Sequence, residues 1–443
     1  MLVRTSAFLI ISTLAVSAES TPPYAPADSS ASPRIAALRK QVEAGNTAAV
    51  AQFWADMAKN HTPLIEAIPG DNRSSLVTFV WQAKEATRNV LIFGGFTLSD
   101  LAANQMIRLG ATDLWYKTYR FRNDARFMYE LSPNDSLQSP DKLDPKDTVG
   151  ARKRFSTLQS DPLNPHRIQQ GPTPPGSSYV ELPGAPPQPW IAPVDNVPKG
   201  TVEVKRLHSA ILNNERAVWV YTPPGFTARA ERYPLLVVFD APVYVRTVPV
   251  PVILDNLIAK KRIPPMVAII IANATMTSRL TELACSAPFA DFLAKEAVPW
   301  MRDNYHATSD AARTFVGGSS LGGLAAVYAA LRHSEIFGNV LSQSASLWWA
   351  PDDDPEAEWL TRQFVASPKL PVRFFLEVGL MEAAPTPHDG PSQVVVNRHM
   401  RDVLTAKGYT IHYQEFNGGH EYLNWRGSFG DGLLFLARGE QIR

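Results

Sequence analysis

Residues Gly317-Gly318-Ser319-Ser320-Leu321-Gly322-Gly323 stand between an apolar run, Thr314 to Val316, and an Ala-rich stretch, Leu324 to Leu331. A serine centred in G-x-S-x-G between a strand and a helix constrains the chain to a sharp strand-to-helix turn that exposes its Oγ. Gly318 and Gly322 then stand where strand and helix come too close for side chains. The register selects Ser320, because centring the motif on Ser319 would put its last glycine on Leu321. By composition alone the motif arises with a chance of roughly 0.15 in a chain this long, so the flanking strand and helix give it its weight. At the helix N-terminus, the Leu321 backbone N–H faces the place where an oxyanion would develop.

Downstream, Gly418-Gly419-His420 follows a second strand-like run, Ile411 to Phe416. A turn serine followed much later by a loop histidine is the chain order of an α/β-hydrolase, and it points to an esterase-type enzyme with Ser320 as nucleophile and His420 as general base. Surface or packing roles suffice for His412, which alternates within a strand, and for His333 at a helix end. The orienting acid belongs between Ser320 and His420, just past a strand end. Glu382 stands there, with Glu377 inside the strand and Asp389 in a Pro/Gly-rich loop as alternatives; a Ser–His dyad without an acid also stays open. The loop after the strand ending Phe239-Asp240 should supply the second oxyanion donor. Ala241 or Val243 can donate, whereas Pro242 has no N–H.

The fold class expected is α/β: a hydrolase domain preceded by an immunoglobulin-like β-sandwich. Leu235 to Phe239, Met266 to Ala272, Thr314 to Val316, Val340 to Ser342, Val372 to Val378 and Ile411 to Phe416 are near-continuous apolar runs, as buried parallel strands should be. Before them, Val202 to Leu212 and Ala217 to Tyr221 predict a hairpin turning at Asn213-Asn214. Residues 199–443 thus form the catalytic domain. Short alternating runs at Leu76 to Trp81, Val90 to Gly94, Trp115 to Phe121 and Arg126 to Leu131 predict a sandwich over 61–160. The intervening 161–198, rich in Pro and Gly, is expected to be an irregular linker. Ser32-Pro33 and Thr47 should cap two helices within a helical extension over 19–60. Arg4, the apolar Ala7 to Leu14 and the small residues Val16-Ser17-Ala18 predict a signal peptide over 1–18, and therefore export.

Composition narrows the function classes. The formal net charge of +1 and the absence of a basic stripe argue against a nucleic-acid partner. No run approaches the ~18 apolar residues of a membrane span, so no membrane insertion is expected. One Cys, Cys285, leaves no internal disulfide and no Cys-rich metal site. No metal or other cofactor is expected, because the chemistry needs none.

Further phrases resemble one family, the enterochelin (ferric enterobactin) esterases. They are Ser278-Arg279-Leu280-Thr281-Glu282-Leu283 with Phe289, Phe292-Leu293 and Pro299-Trp300; Ser342-Gln343-Ser344-Ala345-Ser346-Leu347-Trp348-Trp349; and Asn417-Gly418-Gly419-His420-Glu421-Tyr422-Leu423-Asn424-Trp425-Arg426. Asp161-Pro162-Leu163-Asn164-Pro165 and the β-rich first domain are similar to that family's joint and N-terminal domain. The resemblance implies hydrolysis of the trilactone backbone of a catecholate siderophore, iron-loaded or free, with Ser320, His420 and Glu382 in the catalytic positions. It also implies that Arg279, Trp348, Trp349, Trp425 and Arg426 grip the anionic, aromatic ligand, and that an exported member works in the periplasm. At Phe239-Asp240-Ala241-Pro242 the chain departs from the family, with Ala where Gly is usual. The rival readings are an exported carbohydrate esterase releasing ferulate or acetate, and a non-catalytic siderophore-binding protein.

Overall fold

The computed structural model describes residues 23–97, 101–138, 155–169, 176–228, 231–386 and 390–438. The expected signal peptide and Asp389 lie outside the described residues.

Two antiparallel sheets open the chain. One holds β1 (Tyr24–Pro26), β2 (Leu64–Ile68), β3 (Asp71–Gln82), β5 (Ile107–Arg108) and β6 (Leu114–Arg122); the other holds β4 (Val90–Gly94), β7 (Arg126–Pro133), β8 (Arg167–Ile168) and β9 (Ser177–Glu181). Their inner faces share an aromatic core of Phe79, Phe96, Tyr119, Phe121, Phe127 and Tyr129. Burying large rings from both sheets is what binds a sandwich of short strands together.

This domain departs from the sequence reading at both ends. β1, within the segment expected to be a helical extension, pairs with β6 from Tyr24↔Phe121 to Pro26↔Tyr119. β8 and β9 lie in the expected linker, and β9 pairs with β7 from Arg126↔Glu181 to Tyr129↔Ser178. β9 is too short, and its prolines too near, for its alternation to stand out, yet Ser178 and Val180 point inward. In the helical hairpin, Ser32 caps Pro33–Glu43 by accepting from Ile35 N. Thr47 makes no side-chain cap on Ala48–Asn60; Asn46 Oδ1 instead accepts from Ala48 N at 3.1 Å.

The second domain is built on an eight-stranded sheet of order β10-β11-β13-β12-β14-β15-β16-β17. β10 (Thr201–Ser209) and β11 (Asn214–Thr222) are antiparallel; β12 (Leu235–Val238), β13 (Val267–Ile271), β14 (Thr314–Ser319), β15 (Asn339–Gln343), β16 (Arg373–Gly379) and β17 (Thr410–Phe416) run parallel. Alternate residues feed opposite cores: Leu235 and Val237 pack on one face, Leu236 and Val238 on the other. Helices cover both faces, which is why these strands read as continuous apolar runs. The first hairpin turns earlier than expected. Glu296 accepts from Ala210 N and Ile211 N at 3.0 and 3.1 Å, ending the strand at Ser209, while Asn213 takes a left-handed φ of 48°.

Candidate active site

Ser320 links β14 to the helix Leu321–Arg332 with φ 59° and ψ −125°. A side chain bears such a conformation at a cost on the order of 1–3 kcal/mol, so the surroundings must impose it. They do so by hydrogen bonds: Ser320 N donates to Gln343 O at 2.9 Å, and Ser320 O accepts from Leu324 N and Ser346 N. A Cβ on Gly318 would lie 2.9 Å from the Gly322 carbonyl carbon. A Cβ on Gly322 would meet Phe239 at an ordinary 3.6 Å, so the crowding expected of both glycines falls on Gly318. Ser320 Oγ lies 3.3 Å from Ser346 Oγ.

At the ends of β16 and β17, His420 Nδ1 lies 2.6 Å from Glu382 Oε2. The Glu382 side chain is 3% exposed and that of His420 43%, so the ring has one edge held and the other open. Glu382 Oε1 accepts from Gly379 N at 2.7 Å and Ser344 Oγ at 2.6 Å. These bonds occupy a buried carboxylate's acceptor sites and fix the edge it turns to the imidazole. Of the rival acids, Glu377 is engaged elsewhere. It accepts from Gln343, Gln414 and Ser428, and burial pushes its carboxyl up to about 7.

Both backbone donors expected for an oxyanion sit at helix starts. Ala241 and Leu321 are first residues of their helices, Ala241–Arg246 and Leu321–Arg332, so neither N–H has a carbonyl within its helix. Val243, the other candidate, donates its N–H to Asp240 O at 3.0 Å and is thereby occupied. Asp240 sits in the left-handed region at φ 54°, and its carboxylate accepts from Arg279 Nε at 2.7 Å and Nη2 at 2.9 Å. Asn273 Nδ2 adds a third bond to Asp240 Oδ1. Arg279, singled out for ligand contact, thus braces the loop that leads into Ala241.

The remaining expected ligand contacts divide. Trp425 is 2% exposed, donates its indole N–H to Ser344 Oγ at 3.1 Å, and stands edge-on to the His420 ring at 4.8 Å. This corrects its expected role: it supports the Glu382 side of the site and has no free face for a ligand. Arg426 donates from Nε to Gln188 Oε1 at 2.8 Å and lies over the Tyr179 ring, joining the two domains. Trp348 and Trp349 are partly buried against the large core, with Trp349 N donating to Ser346 O. Sequence reasoning missed the individual roles of Ser344, Ser346 and Asp240. All three lie within quoted phrases, but short polar residues there carry no periodic signal.

The glycines before His420 are not required by a left-handed turn. Neither has a positive φ. A Cβ on Gly418 would lie 2.1 Å from Asn424 Nδ2 and 2.6 Å from Arg126 O, and one on Gly419 3.2 Å from Gly95 Cα. They are glycines because the β-sandwich presses against this loop.

Ser320 stands on the sharp strand-to-helix turn that presents a nucleophile in an α/β-hydrolase. In an α/β-hydrolase sheet that also pairs a histidine with a buried glutamate, it marks a serine esterase. The Esterase family model matches residues 209–436, and the model described as "Enterochelin esterase, N-terminal" matches residues 76–191. The chain belongs to the enterochelin esterase family. It is 33% identical to the iron(III) enterobactin esterase of Escherichia coli O6:H1, over 75% of this chain and 81% of that protein. The iron(III) enterobactin esterase of Dickeya dadantii is 29% identical over 92% of this chain and 96% of its own length. The enterobactin esterase of Shigella flexneri, solved in the presence of enterobactin, superposes with a TM-score of 0.70 at 28% identity, covering 87% of this chain and 98% of that one.

Proposed function

We propose that this esterase hydrolyses the trilactone ester bonds of a cyclic tris-catecholate siderophore of the enterobactin type, iron-loaded or free. Membership of the enterochelin esterase family carries the choice of substrate; the His420–Glu382 pair at 2.6 Å carries the mechanism. In this reading Ser320 Oγ attacks an ester carbonyl as His420 Nε2 takes its proton. Glu382 holds the imidazole by Nδ1 and stabilises the imidazolium that forms. The N–H groups of Leu321 and Ala241 stabilise the oxyanion. His420 then returns the proton to the leaving serine hydroxyl, and water, activated by His420, releases the acyl group and regenerates Ser320. The Arg279 guanidinium suits a catecholate oxygen, and Trp348 and Trp349, the aromatic pair following Ser346, suit its ring. Cutting the lactone separates the three catechols, removing the effective concentration that makes the cage hold iron.

Arg4, Ala7 to Leu14 and Val16-Ser17-Ala18 support an exported enzyme working in the periplasm. Recovery in the cytoplasmic fraction, with residues 1–18 retained, would remove this part of the proposal.

The test is incubation with the cyclic siderophore, with and without iron, and separation of products over time. A ladder of linear trimer, dimer and monomer, absent with Ser320→Ala, is expected. An intact siderophore, with ferulate released from feruloylated oligosaccharide, would overturn the assignment in favour of a carbohydrate esterase.

A further inference from the structure

β7 is paired with β4 only as far as Gly94, opposite Tyr129. Beyond that point its edge is taken over by the loop carrying His420. Arg126 N donates to Asn417 O at 3.0 Å, and Arg126 O accepts from Asn424 Nδ2 at 2.9 Å. Met128 N donates to both carboxyl oxygens of Glu421, at 3.2 and 3.0 Å. Asn417 Nδ2 also donates to Asp124 Oδ1 at 2.8 Å. The same contact reaches the acid: Met381, beside Glu382, is 2% exposed and packs in the sandwich core, and its N–H donates to Gly418 O at 3.0 Å.

Glu421 is the unusual member. It is 4% exposed, and among the described residues no cation pairs with its carboxyl. Besides the Met128 N–H it accepts from Gly419 N at 3.4 Å. A buried carboxyl is costly without a charge partner, so it serves as an acceptor for backbone N–H groups that would otherwise be orphaned. One of those groups belongs to the sandwich; the other lies one residue before His420.

We infer that Glu421 is a positioning residue, which seats His420 by tying its loop to the edge of β7 and so makes the β-sandwich domain part of the catalytic apparatus. This rests on the reading of Ser320, His420 and Glu382 as the catalytic group. Burial pushes the Glu421 carboxyl up to about 8, and the amide of Gln keeps one carbonyl oxygen that can accept from the same N–H groups without a buried charge.

The experiment uses the mature protein with Glu421→Ala, Glu421→Gln and Asn417→Ala, assayed on p-nitrophenyl butyrate and on the cyclic siderophore. Displacing a base costs roughly ten- to a hundredfold in rate. Glu421→Ala should lose that much kcat on both substrates with KM within about threefold, and Glu421→Gln should recover most of it. If Glu421→Ala fails to fold, Asn417→Ala must show the same kcat-selective loss, in smaller measure, in a protein with normal circular dichroism. A folded Glu421→Ala with wild-type kcat, or an Asn417→Ala of unchanged kcat where Glu421→Ala does not fold, overturns the proposal. Ser320→Ala is assayed in parallel: if it keeps activity, the catalytic reading itself has failed, whatever Glu421 does.

Discussion

Trp425 donates its indole N–H to Ser344 Oγ, and that hydroxyl donates onward to Glu382 Oε1 at 2.6 Å. A donor chain of this kind leaves the carboxylate one orientation, and that orientation faces His420. Trp425→Phe keeps the ring and removes the first link. The expected outcome is a fall in kcat of about tenfold with KM little changed, equivalent to about 1.4 kcal/mol of lost orientation. Steady-state kinetics check it, and a selective rise in KM would mean that Trp425 meets the ligand after all.

Arg279 and Asp240 form a bidentate pair whose other end is the Ala241 N–H. Arg279→Lys keeps the charge and cannot reproduce two parallel bonds to one carboxylate. We expect kcat to fall along with a rise in KM, because releasing Asp240 from its left-handed conformation displaces the Ala241 N–H that the proposed mechanism uses. A pure ligand contact would change KM alone.

Burial holds Glu377 back from ionising. Burial raises its folded value to about 7 from an ordinary 4.5. At Glu377 the folded state therefore binds more protons than the unfolded chain between those values, and this residue's contribution to stability is full below about 4.5 and is lost as pH rises through 7. Glu377→Gln should reduce that slope, leaving the part that Glu421, raised to about 8, contributes with the same sign. Thermal melts at pH 5 and pH 8 measure it, and a wild-type slope retained in the variant would exclude Glu377 as its source.

Gly318 faces the backbone of Gly322 with no room for a methyl group. Gly318→Ala should destabilise the protein by about 1–3 kcal/mol, read as a lower urea midpoint at unchanged m-value. Gly322→Ala, whose added Cβ meets only ordinary contacts, should cost less.

The strands of the hydrolase sheet were legible because burial on both faces leaves unbroken apolar runs, and Ser320 because its turn tolerates so few residue types. His420 and Glu382 were legible from their places after strand ends, the first also from its glycines. What the sequence hid was partnership. Nothing in the order of residues says that Ser344 hydrogen-bonds Glu382, or that Trp425 turns inward while Trp348 and Trp349 stay partly open. β8 and β9 escaped notice for a related reason: β9 is stabilised by β7, distant in sequence, and β8 only by β9, while their own short runs are drowned by neighbouring prolines.

Gly418 lies against Arg126 and Asn424, and Gly419 against Gly95, with no space to spare. Such a fit means that the two halves of this protein cannot drift independently through mutation. A substitution in the sandwich that moves the Gly95 turn or the Arg126 strand by an ångström would press directly on the loop of His420. A hydrolase half transplanted onto another partner would keep its strained serine and lose the seat of its base.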